Sequence, residues 1–182
     1  MNSHGHDPLL LAGKVLTLIL QGIMGIGAAV IAITLPLALI FGADFASGFA
    51  DGSGLPMDRA PMLPIAGLLL SVLAMVIALF FFFGRLRAVI DTVGEGDPFV
   101  PANADRLNLM AWLLLAAQVI AWPAVTFALI VAEWANELDN VNLTLEADGL
   151  DLTGALMVLV LFILARVFRQ GAAMREDLEG TV

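Results

Sequence analysis

The residues that could do chemistry are few, and they cluster. Asp97, Pro98, Phe99, Asn103 and Arg106 fall within ten positions of one another. A carboxylate, an amide and a guanidinium at that spacing can recognise a polar group on a partner, or can cap and pin a turn between two helices. Pro98 pushes Asp97 out of helical geometry, which favours a turn there. Arg166 and Arg169 stand one helical turn apart. Such a pair suits a carboxylate or phosphate on a docked partner, or snorkels to lipid headgroups. His4, His6 and Asp7 form a third group, and neutral imidazoles bind transition metals. The arm is short and the chain has no other His and no Cys, so no metal centre is expected. Gln21 and Gln118 are amides inside apolar runs, entered from opposite sides of the chain's long hydrophobic segments. They are expected to make separate interhelical hydrogen bonds rather than one ligand site.

These groups are positioned by four apolar stretches, at about 15–41, 62–83, 107–132 and 152–165 with a continuation to 168, whose cores contain no Lys, Arg, Asp, Glu or His. About 20 apolar residues cross the hydrocarbon as a helix. The chain is 60% hydrophobic with mean hydropathy +0.96, above the roughly 45–50% of soluble domains. The expected fold is all-α: a polytopic membrane protein built as an antiparallel four-transmembrane-helix bundle. Residues 1–14 form a polar arm and 15–182 a single membrane domain. The first apolar run is longer than the roughly 7–15 residues of a signal-peptide core, so it is read as a retained span.

Ionisable residues inside a membrane usually mark proton relays, ion paths or substrate sites. Their absence from the span cores argues against an enzyme, a pump or an ion-coupled transporter, and no catalytic residue or cofactor is expected. Seven of the eight basic residues, Lys14, Arg85, Arg87, Arg106, Arg166, Arg169 and Arg175, fall on the side shared by both termini and the middle loop. The positive-inside rule then places both termini in the cytoplasm. The opposite side holds Arg59 and nine acidic residues, an acidic outer rim.

Outside the spans, 44–61 is an irregular loop rich in Gly, Asp and Pro. In the second outer loop, Val141, Leu143 and Leu145 alternate with Asn142, Thr144 and Glu146, which predicts a short extended segment. Helical extensions are expected over about 84–93, with Gly94 as the stop, and over about 169–179; Asn103 is a candidate cap for the third helix. Small residues recur along one face of three helices: Gln21, Gly25, Ala28 and Ala32; Gly67, Ser71, Ala74 and Ala78; Ala117, Ala121, Ala124 and Ala128. Such faces let backbones approach in lipid. They suit packing within one bundle, with homodimerisation as the alternative, and the oligomeric state is left open. Pro36 and Pro123 would bend spans one and three.

Two segments carry a family resemblance. One is Gly96-Asp97-Pro98-Phe99 followed by Asn103-Ala104 and Arg106-Leu107. The other is Ile163-Leu164-Ala165-Arg166-Val167-Phe168-Arg169-Gln170-Gly171, then Met174-Arg175-Glu176-Asp177, ending Thr181-Val182. With four spans and internal termini, the chain resembles, over about 10–180, the bacterial family catalogued as domain of unknown function 2975. The resemblance implies a small protein of the bacterial inner membrane without known enzymatic role, associated with a small helix-turn-helix regulator of the Xre type. The leading expectation is therefore a non-enzymatic membrane protein that senses or sequesters such a regulator through Asp97, Pro98, Phe99, Asn103, Arg106, Arg166 and Arg169. Its other partners would be membrane lipids. The mixed charge of Arg175-Glu176-Asp177-Leu178-Glu179 argues against direct nucleic-acid binding. The alternatives are a small-molecule or lipid-binding transport or resistance accessory, and a structural subunit of a membrane complex.

Overall fold

The computed structural model describes residues 8–40, 60–136, 144 and 151–179. They form four helices: α1 (Pro8–Ile40), α2 (Met62–Gly94), α3 (Pro101–Asn136) and α4 (Leu152–Glu179). Each holds a stretch long and apolar enough to cross a membrane, and the protein is a multi-pass, all-helical membrane protein. At 1.5 Å per residue, the 33 residues of α2 extend about 50 Å, against a hydrocarbon core of about 30 Å. Several turns must therefore stand outside the bilayer. Pro36 and Pro123 sit within α1 and α3, and neither ends its helix. The alternating segment 141–146 lies outside the described residues except for Thr144, which belongs to no helix or strand. His4, His6 and Asp7 also lie outside them.

Successive helices are antiparallel. Along α1 and α2, Gly13 lies by Ile90 and Gly27 by Val76. Along α2 and α3, Ala88 meets Arg106 and Gly67 meets Phe127. Along α3 and α4, Asp105 meets Arg169 and Gln118 meets Gly154.

The helices do not close into a compact bundle. Among the described residues α1 packs on α2, α2 on α3 and α3 on α4, and no other pair brings its backbones together. The arrangement is an open row, where a compact antiparallel bundle was expected. The physical reason is the solvent. Lipid chains cover an apolar helix face as well as a fourth helix does, so no hydrophobic force closes the row. The small-residue faces act between chain neighbours instead. Ser71 and Ala78 on α2 and Ala117 and Ala124 on α3 are buried, Gly25 takes the Phe80 ring and Gly67 the Phe127 ring. Ala32, at the end of the α1 stripe, is exposed.

The densest packing is around the first half of α3. Leu107, Met110 and Ala111 form a core with Leu161 and Ala165 of α4, flanked by Phe82 and Leu86 of α2. By contrast, Thr17 is the one buried residue of α1 among those described, its hydroxyl donating to the Lys14 carbonyl at 3.0 Å.

Candidate functional site

The end of the row that carries the α2–α3 turn holds nearly every polar contact between helices. It is built first from backbone. Asp97 N–H donates to the Thr92 carbonyl at 3.0 Å and Gly96 N–H to the Val93 carbonyl at 3.1 Å. This paired pattern closes a helix with a left-handed residue just beyond it. That residue is Gly96, at φ 82°, so the helix ends at Gly94 but the turn depends on the second glycine. After Pro98, α3 starts at Pro101, where a missing N–H costs nothing.

Asn103 is the hub of this turn. It is fully buried. Its amide nitrogen donates to the Thr92 hydroxyl at 2.7 Å and to the Pro98 carbonyl at 2.9 Å. Its amide oxygen accepts from Arg106 at 2.8 Å. Arg106 also donates to the Ala88 carbonyl of α2 at 3.1 Å. Asn103 therefore does not cap its own helix, which begins two residues earlier. It reaches backward and ties the turn and α2 to α3.

A second layer joins α4 to this turn. The Phe99 ring lies 5.4 Å from that of Phe168 and rests on Gly171, where a Cβ would come within 2.6 Å of it. Asp97 pairs with Arg175. Asp105 accepts from Arg169 at 3.4 Å. On the other flank, Lys14 of α1 pairs with Asp91 of α2 at 2.7 Å. Ion pairs thus connect α1 to α2, the turn to α4, and α3 to α4.

Of the sequence-derived candidates, Asp97, Pro98, Phe99, Asn103 and Arg106 come together in this knot. Arg169 touches its edge, while Arg166 is exposed and makes no hydrogen bond or ion pair among the described residues. Thr92, Asp105, Phe168, Gly171 and Arg175 belong to the knot and were not among the candidates. Phe168, Gly171 and Arg175 stood within the quoted C-terminal motif, which was the available signal. Thr92 had none.

The two amides lie apart, but neither makes the expected interhelical hydrogen bond among the described residues. Gln21 rests on Gly84 of α2 and Gln118 on Gly154 of α4. The Gln118 Nε2 is buried and finds no acceptor among the described residues. Next to it Asp151 caps α4, its carboxylate accepting from Gly154 N–H at 2.9 Å. No group of three or more His, Cys, Asp or Glu able to hold a metal occurs among the described residues.

A shallow groove of about 380 Å³ runs beside the knot between α3 and α4, lined by Asn108, Phe162, Ala165, Arg166, Arg169 and Gln170.

The model of a family described as "Protein of unknown function (DUF2975)" matches residues 59–182. The match takes in α2, α3, α4 and both knot segments, and leaves α1 outside. No curated protein and no solved structure matches the chain.

Proposed function

The chain belongs to this DUF2975 family, and on that premise we propose that it is a non-enzymatic protein of the bacterial inner membrane whose turn end faces the cytoplasm and docks a soluble partner. The orientation is supported by the basic residues. Lys14, Arg85, Arg87, Arg106, Arg166, Arg169 and Arg175 all lie toward the turn end, and basic residues accumulate on the cytoplasmic side. Both termini are then cytoplasmic.

One observation carries the docking reading. Two segments far apart in sequence, 96–107 and 163–177, are assembled into one knot at the turn end, where the apolar stretches give way to polar residues. Beyond it α4 continues to Glu179 and exposes Met174 and Leu178 one turn apart. An apolar pair at that spacing on a projecting helix suits a groove on a partner. Glu176 and Asp177 beside it suit a basic surface, such as that of a DNA-binding domain. The partner proposed is a small Xre-type helix-turn-helix protein. Asn103 and Arg106 act by positioning this platform, while Met174 and Leu178 make the contact.

The test is capture of the tagged full-length protein from native membranes in mild detergent, with mass spectrometry of what accompanies it. A small helix-turn-helix protein should be present with the unaltered chain and absent with Met174→Lys/Leu178→Lys at unchanged helix content. Its absence from the unaltered capture would overturn the proposal.

A further inference from the structure

We propose that the groove between α3 and α4 binds the phosphate of an anionic phospholipid headgroup in the leaflet at the turn end. This goes beyond the docking reading and does not use its contact residues, Met174 and Leu178.

Charge comes first. Arg166 has no partner among the described residues, and Arg169 has one long contact of 3.4 Å to Asp105, whose side chain is 80% exposed. Most of the guanidinium donors on this face are therefore unused. Two amides, Asn108 and Gln170, complete the rim and offer further N–H donors. Two guanidiniums and two amides around one concavity form a donor-rich site for a phosphate.

Shape comes next. The floor is Ala165, 4% exposed, and Phe162, whose ring meets Trp112 edge-on at 5.5 Å and 82°. Trp112 is 56% exposed, and exposed Trp favours the depth of the lipid headgroups. One and two turns deeper along α4 from Arg166, Phe162 and Leu159 continue the same face, and Leu159 is 55% exposed. The polar rim thus opens into an apolar track that points into the bilayer. A phospholipid has this sequence of parts: an anionic head, then acyl chains. A soluble protein would have to enter the headgroup layer to reach the floor.

The test uses the purified full-length protein in mild detergent, with phosphatidylglycerol and phosphatidylcholine as probes and native mass spectrometry as the readout. The unaltered protein should retain phosphatidylglycerol in preference to phosphatidylcholine. Arg166→Gln/Arg169→Gln should lower phosphatidylglycerol retention about tenfold, the scale of one to two charge-assisted hydrogen bonds. Asp105→Asn releases Arg169 and should raise retention about twofold, a change a misfolded variant would not give. Equal retention of the two lipids, or no change in either variant, would overturn the proposal. Displacement of phosphatidylglycerol by excess inorganic phosphate would also overturn it, in favour of a soluble anion. Loss of partner capture with lipid retention intact would sink the docking reading alone.

Discussion

The two ends of the helix row are built on different chemistry. At the turn end, all four helices are tied by ion pairs, a buried amide and an aromatic pair. At the other end α4 is missing as a neighbour. It starts at Leu152, level with Gln118, which is halfway along the 36-residue α3. The buried residues of α3 follow that difference. Its first half buries Asn103, Leu107 and Met110, whereas its second half buries only Ala124, Ala132 and Ala135. Trp122 and Val119, just past the point where α4 begins, are 67% and 64% exposed. Polar ties are worth making where water competes for stray helix ends. Between apolar faces inside lipid, close backbone approach does the same work.

If that contrast is right, the largest loss follows from removing the hub. Asn103→Ala leaves the half-buried Pro98 carbonyl and one donor of the half-buried Arg106 without partners beside an emptied, fully buried position. The expected cost is about 3 kcal/mol, the scale of more than one unsatisfied buried polar group. Reversible unfolding in mixed detergent micelles measures it. A loss under about 1 kcal/mol would mean that the turn is held by its backbone bonds alone.

Gly171→Val comes next. A Cβ at Gly171 would press within 2.6 Å of the Phe99 ring, and the ring is already placed against Phe168. Overpacking of this kind costs about 1–3 kcal/mol. Phe99→Ala in the same chain should relieve the clash, so the pair should be less destabilising than the sum of the single changes. Strict additivity would show that Phe99 does not sit on Gly171.

The midpoint of α3, level with the start of α4, predicts the reverse sign. Gln118 Nε2 is buried without an acceptor among the described residues, so Gln118→Leu removes an unsatisfied donor. It should be neutral or stabilising by up to about 1 kcal/mol. Destabilisation by more than that would mean that a water or an unseen group satisfies this amide in the membrane.

The helices and the turn were legible in the sequence because lipid imposes a crude rule. Charge-free runs must be spans, and Asp97-Pro98 must break a helix. Pairing order was not legible. A face that meets lipid and a face that meets a helix are equally apolar, so nothing in 15–41 or 152–168 distinguishes an open row from a compact bundle. The knot was half legible. Asp97, Asn103 and Arg106 stood out as polar residues near a turn, but as a cap. The reach of Asn103 back to Thr92, and of Asp97 across to Arg175, depends on how α2 and α4 are set against α3. The groove residues show the same limit. Arg166 and Arg169 share a face by spacing alone, but Asn108 joins them only through the level at which α4 packs.

The smallest effect separates the ion pairs from the knot proper. Lys14 and Asp91 lie 2.7 Å apart, with side chains 48% and 35% exposed. Water screens such a pair, and exposed ion pairs are worth about 0.2–1 kcal/mol. Lys14→Met should therefore cost about 0.5 kcal/mol, and the cost should fade as salt shortens the screening length. α1 lies outside the family match, and among the described helices it packs on α2 alone. If the Lys14→Met loss instead exceeds that of Asn103→Ala, or does not respond to salt, then α1 is fastened at the turn end as firmly as α3 is. The contrast between a surface ion pair and the buried hub of the turn end would then fail.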